Sequence, residues 1–112
     1  MRVDRRRYFR VPVALDVSVR QSGKEEIQCK AINISWEGMA VNTPSPLTVG
    51  EVLDIVFAIP TPGPLVIAKA AVIWDDKRSK AGIHLDVPTA VVRERISEWI
   101  AQLEVRQREN SE

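Results

Sequence analysis

Two short segments hold residue types that could recognise a charged, planar ligand. One is Arg5-Arg6-Arg7-Tyr8-Phe9-Arg10 near the N-terminus, and the other is Asn33-Ile34-Ser35-Trp36-Glu37-Gly38. A guanidinium is a planar fork that grips phosphate oxygens in pairs, meets the O6 and N7 acceptors of guanine, and stacks flat on a ring. Lysine offers only a point charge. Asn33 carries both a donor and an acceptor and Ser35 a hydroxyl of either role, which suits a base edge of mixed polarity. Two residues apart on a strand, they would share a face. Gly38 lets the backbone turn and lets a flat ring approach without a Cβ in the way. Trp36 would point opposite to Ser35, packing on the exterior or under a helix, or stacking on the ligand. Taken separately, each segment has a plainer reading. Arginine clusters are commonly solvated tails, and Asn, Ser and Gly at a strand end are commonly a turn.

The remaining residues are poorly suited to catalysis. The single histidine, His84, lies between Ile83 and Leu85 in an alternating run, so it faces away from them, toward the surface or a ligand. The single cysteine, Cys29, sits on an apolar strand face and reads as a small buried hydrophobe. It can form no internal disulfide, which fits a reducing compartment. No second Cys or His stands at metal-ligand spacing, and no nucleophile, base and orienting group can be assembled. Asp75 and Asp76 are explained by turn chemistry. The sequence therefore predicts neither an enzyme nor a metal site.

The elements that must carry the two segments follow from periodicity. VPVALDVSVR alternates, with Val13, Leu15, Val17 and Val19 on one face and Ala14, Asp16, Ser18 and Arg20 on the other. After a turn at Gly23, EIQCKAINIS places Ile27, Cys29, Ala31 and then Asn33 on one face. MAVNT is a third strand. VLDIVFAIP, LVIAKAAVIWDD and AGIHLDV are three more, separated by a Pro-rich turn and by DKRSKAG. Six short strands in series predict an antiparallel barrel or sandwich. After Pro88 and a cap at Thr89 the period changes, and Val92, Ile96, Trp99, Ile100 and Leu103 form one stripe of an amphipathic helix.

The chain of 112 residues is the size of one domain, and 45% hydrophobic with 28% charged residues is an ordinary globular balance. The net charge of only +1 argues against a general nucleic-acid binder, yet Arg2, Arg5, Arg6, Arg7 and Arg10 concentrate positive charge at one end. The opening residues lack the apolar segment of a secretory signal, and no run approaches the ~20 apolar residues of a membrane span. The expectation is a cytoplasmic protein with no membrane insertion.

Arg-Arg-x-x-x-Arg, then a strand and hairpin, then Asn-x-Ser-x-x-Gly resembles the PilZ domain family, over roughly Asp4 to Leu103. AVIWDDKRSKAGIHL is similar to that family's penultimate hairpin. The resemblance implies a six-stranded antiparallel β-barrel with a C-terminal amphipathic helix. It implies cyclic di-GMP as the ligand, no other cofactor, and a receptor that signals to a protein partner still to be identified. The implied ligand-binding residues are Arg5, Arg6, Arg10, Asn33, Ser35 and Gly38. Arg6 and Arg10 are expected to be essential, Arg5 contributory, and Arg2 and Arg7 largely dispensable. The implied layout is a flexible basic arm over 1–10, the barrel and helix over 11–106, and a frayed tail over 107–112. Two other readings compete: a protein-interaction module of the same fold that binds no nucleotide, and a small barrel for single-stranded nucleic acid. The second is disfavoured because only 5% of residues are aromatic, too few for stacking platforms.

A magnitude constrains the arm. Each charged hydrogen bond contributes roughly 1.5–3 kcal/mol, whereas ordering one residue costs about 1–2 kcal/mol of backbone entropy. A few arginine contacts cannot order the whole arm and still leave about −8 kcal/mol for micromolar binding. Either part of the arm is ordered beforehand, or Tyr8 and Phe9 bury apolar surface as it closes. Both motifs are expected to converge at one barrel rim.

Overall fold

The computed structural model describes residues 10–35, 37–87 and 89–110. Alternation builds its strands. In β1 (Val11–Gln21), Val17 and Val19 are buried, Val13 and Leu15 are half-buried on the same side, and Ala14, Asp16 and Arg20 face solvent. A turn with Gly23 at φ 73° leads into β2 (Glu26–Ile34). The remaining strands are β3 (Gly38–Asn42), β4 (Val52–Phe57), β5 (Val66–Asp75) and β6 (Lys80–Asp86). Every neighbour is antiparallel, and the sheet closes in the order β1-β2-β3-β6-β5-β4. The expected six-stranded barrel is present. β1 makes the closure: Val17, Ser18 and Val19 pair with β2 on one side and with β4 on the other. Phe57, Ile34, Met39, Leu53, Ile55 and Ile83 fill the interior, each burial contributing about 1.5–3 kcal/mol.

Strict alternation fails in β2. Asn33 was expected to follow Ala31 on the inner face, but the register against β3 shifts between Ala31 and Asn33. The next inward side chain is Ile34, fully buried, while Asn33 is half-buried. A bulge places one extra residue on the strand and lets the larger apolar side chain enter the core.

The β5–β6 turn uses both aspartates as turn chemistry requires. Asp76 accepts backbone N–H bonds from Lys80 at 3.0 Å, Arg78 at 2.8 Å and Ser79 at 3.0 Å. These donors, Lys80 foremost, hold its carboxyl below the usual range. Asp75 accepts from the backbone of Lys77 at 2.6 Å and of Leu47 at 2.9 Å, tying the β3–β4 loop to this turn.

Helix α1 (Ala90–Asn110) begins at a cap: the Thr89 hydroxyl accepts the Val92 N–H at 3.2 Å. Ile96, Trp99 and Ile100 are buried in the common core, with Val92 and Leu103 packed beside them. The stripe covers the barrel end at which β1 starts and β6 finishes. Arg93 donates to the Val87 carbonyl and Arg95 to that of Pro64, each at 3.0 Å, so the helix is also tied to the β4–β5 turn. The helix continues to Asn110, past Arg106, after which the sequence predicts a frayed tail. No helix among the described residues is long and apolar enough to cross a membrane.

Trp99→Ala should destabilise the protein by about 3–5 kcal/mol, because it empties the centre of the helix–barrel contact. Thr89→Ala removes one cap bond and should cost about 1 kcal/mol. Urea unfolding followed by circular dichroism measures both.

Candidate functional site

Antiparallel pairing brings the last residue of the first motif, Arg10, and the first residue of the second, Asn33, to one rim. Val11 is registered with Ile34 and Pro12 with Asn33, so Arg10 emerges beside the end of β2. There the exposed Arg10 guanidinium donates from Nη1 to Asn33 Oδ1 at 2.8 Å. This bond joins residues far apart in sequence and realises the expected convergence for Arg10 and Asn33. It leaves further guanidinium donors and the Asn33 amide nitrogen for other partners. Arg5 and Arg6, with Arg2, Arg7, Tyr8, Phe9 and Trp36, lie outside the described residues.

Ser35 and Gly38 are brought together by the tight connection between β2 and β3. The Ser35 N–H donates to the Gly38 carbonyl at 2.8 Å. The Ser35 hydroxyl accepts the Glu37 N–H at 3.3 Å and lies 3.5 Å from the Gly38 carbonyl oxygen. Ser35 is only 2% exposed. The expectation that Asn33 and Ser35 present side chains side by side on a strand needs correcting. Ser35 lies beyond the last residue of β2, and its hydroxyl is engaged within the turn, while Asn33 meets Arg10.

Gly38 has a physical reason the sequence does not reveal. It is registered with His84 of β6, and the Glu37 carbonyl accepts the Leu85 N–H at 2.9 Å. A Cβ added at Gly38 would collide with the Ile83 carbonyl oxygen. Gly38 is absent from the positive-φ residues, so close backbone approach, not turn geometry, demands glycine here.

The register also aligns a row across four strands: Asn33 of β2, Ala40 of β3, Gly82 of β6 and Trp74 of β5. Met39 and Val41 belong to the core, so Ala40 and Gly82 face outward between the two ends of the row. The Trp74 indole lies over Gly82, where any Cβ would strike its Nε1, and Trp74 remains 40% exposed. Ala40 is only 4% exposed and Gly82 is buried beneath the Trp74 indole, so the row presents Trp74 at one end and the Asn33–Arg10 pair at the other, with its middle covered. Sequence reading missed Trp74; its only signal is an aromatic standing across from a strand glycine. His84 is exposed beside Gly38, on the outer face as expected. Cys29 is buried as expected; burial pushes its thiol pKa up, partly offset by a hydrogen bond with Thr43. Among the described residues no cluster of His, Cys, Asp and Glu could hold a metal ion.

Comparison with known proteins follows the same outline. A family model described as PilZ domain matches residues 4–102. Among solved structures, the inhibitor of motility MotI/DgrA of Bacillus subtilis is similar with a TM-score of 0.80 and 23% identity. That match covers 96% of this chain but 55% of the inhibitor, so the chain spans little more than half of that protein's length. The PilZ domain of Escherichia coli YcgR, solved with c-di-GMP, gives a TM-score of 0.72 at 17% identity, covering 96% of this chain and 98% of that domain. The PilZ domain of CeSA from a cellulose-synthesizing bacterium gives 0.66 at 18% identity, covering 86% and 98%. A search of curated proteins finds no match.

Gly38→Ala should destabilise the fold by about 2 kcal/mol or more, because β3 and β6 must separate to admit the methyl group. At Gly23, where nothing lies within 4 Å but φ is 73°, alanine should cost about 1 kcal/mol through backbone strain alone. Thermal unfolding of the two variants side by side checks the difference.

Proposed function

The chain belongs to the PilZ domain family, and on that basis we propose that it is a receptor for cyclic di-GMP whose site is the barrel rim where Arg10 meets Asn33. The observation that carries this reading is the 2.8 Å bond between these two side chains, one from each motif. Arg10 supplies a fixed positive charge for a phosphate or a guanine edge, and Asn33 supplies its amide nitrogen as a donor for the base. Ser35 and Gly38 contribute by holding the β2–β3 turn that presents Asn33. The exposed Trp74 ring offers a stacking wall at the far end of the row, an interaction of about 1–3 kcal/mol for a base. Arg5 and Arg6 then close over the ligand from the arm.

The Arg10–Asn33 bond bears on the entropy constraint. The root of the arm is tied down before ligand arrives, so fewer residues remain to be ordered. Closure of the arm reshapes the surface around the rim and so alters what a protein partner meets. That YcgR's PilZ domain was solved with c-di-GMP and that MotI is an inhibitor of motility support a role of this kind. The cytoplasm, where a cyclic dinucleotide messenger is made and read, is the proposed compartment, and the protein is proposed to act by binding, without catalysis.

Calorimetric titration of the intact protein with cyclic di-GMP should show saturable heat. Arg10→Ala, Asn33→Ala and Arg6→Ala should each weaken binding by about tenfold to a hundredfold, the loss of one charged hydrogen bond. Arg7→Ala should bind like the parent. Absence of heat with the intact, folded protein would overturn the proposal, and loss of binding in Arg7→Ala but not Arg6→Ala would show the motif to be misaligned.

A further inference from the structure

Away from the rim, the barrel wall carries a line of charges that alternate in sign from strand to strand. Arg20 of β1 is registered with Asp54 of β4, Asp54 with Lys69 of β5, and Lys69 with Asp86 of β6. Their chain neighbours Val19, Leu53, Ile55, Ala68 and Ala70 are all buried, so these side chains point outward. Lys69 Nζ meets Asp54 Oδ1 at 2.7 Å, with the two side chains 64% and 43% exposed. Apolar pairs flank the line on both sides. Val56 is registered with Ile67 on one side and Val52 with Ala71 on the other. Ile67 is 66% exposed, Val52 and Leu65 57% each, and Ile73 51%.

We propose that the outer face of β4 and β5 is a docking surface for a second copy of this chain, in a twofold dimer whose axis runs parallel to the strands between β4 and β5. A twofold contact must be self-complementary, and the alternating line meets that condition for one axis only. Rotation about an axis along the strands keeps each residue at its own level and reverses the strand order. Asp54 then lies opposite the partner's Lys69, and Lys69 opposite the partner's Asp54. Arg20 turns toward the partner's Asp86 at the flank, where the barrel curves away. The apolar levels meet each other: Ile67 faces the partner's Val56, and Val52 the partner's Ala71. An in-plane axis across the strands would instead set Asp54 against its own copy. The four central charges form a closed ring of alternating sign, in which each carboxylate has two cations and each ammonium two anions. Lys69 first, then Arg20, already hold the Asp54 carboxyl below its usual range, so it stays ionised. Asp54 and Lys69 lie on β4 and β5, away from the rim where Arg10 meets Asn33, so the dimer does not require the Arg10–Asn33 contact of the nucleotide reading.

Sedimentation equilibrium of the intact protein without nucleotide, over a concentration series, tests the proposal. The expected result is a monomer–dimer equilibrium that Arg10→Ala leaves unchanged. Asp54→Lys or Lys69→Asp alone should weaken the dimer by about tenfold or more, since each sets like charges opposite one another at two symmetric places. The combined swap should restore it, because two cations followed by two anions are still complementary about the same axis. Ile67→Glu should leave only monomer, with circular dichroism showing each variant folded. A monomeric mass at every concentration, single reversals without effect, or a double swap no tighter than either single change would each overturn it.

Discussion

Closure of the sheet is the constraint on which the rest of this molecule depends. In an open sheet a slipped strand can leave its error at an edge; in a closed one it must be absorbed within the ring. Because side chains alternate with a period of two, a slip of one residue turns a core face to solvent. The chain accommodates the curvature through local irregularities: between Pro12 and Leu15 in β1, between Ala31 and Asn33 in β2, and between Val72 and Trp74 in β5. Pro12 has no N–H to offer a ladder, so a bulge beside it loses little. Each irregularity adjoins the row that carries Asn33, Ala40, Gly82 and Trp74. The polar and aromatic groups of the candidate site thus stand where the barrel departs from regular pleating, and the same departures admit Ile34 to the core.

Much of this was legible because local pattern and global fold agree. The Val17 and Val19 face, the Leu53, Ile55 and Phe57 face, and the Ile96, Trp99 and Ile100 stripe each follow one period without conflict. The bulge in β2 left a trace that simple alternation overlooks. Gln28 and Lys30 are followed on their own face by Ile32 and Ile34, so the apolar phase changes within the strand. The motif identities were legible as chemistry, but their geometry was not. Nothing near Gly38 in sequence announces the Ile83 carbonyl, since that approach belongs to a pairing between β3 and β6 made only in the folded barrel. Ser35 looked like a ligand group because a hydroxyl is versatile; inside a tight turn that versatility goes to the backbone, accepting from the Glu37 N–H and facing the Gly38 carbonyl. Trp74 escaped attention because its partner is a glycine, a residue with no side chain to suggest a contact.

The site and the core are joined through β1. Its first residues leave the rim beside Asn33, while its second half is hydrogen-bonded on both sides within the closed ring. The rigid portion anchors the strand, and the portion nearest Arg10 has β2 alone as its partner. Arg10 is thereby attached, through a few residues paired on one side only, to a segment that is hydrogen-bonded on both sides. Helix α1 closes the same barrel end, so Arg10 stands on the side of the barrel covered by Trp99 and Ile100.

The helical cap also has a consequence for biosynthesis. Every strand of the barrel precedes α1 along the chain, yet the barrel end is completed by Ile96, Trp99 and Ile100. A nascent chain that has delivered all of its strands still exposes an open apolar mouth, and it does so until the helix leaves the ribosome. At an elongation rate of about 5–20 residues per second, that interval lasts on the order of seconds, far longer than hydrophobic collapse takes. The half-made barrel is therefore the species on which a chaperone would act, and chains that terminate early at this point are the ones quality control must clear.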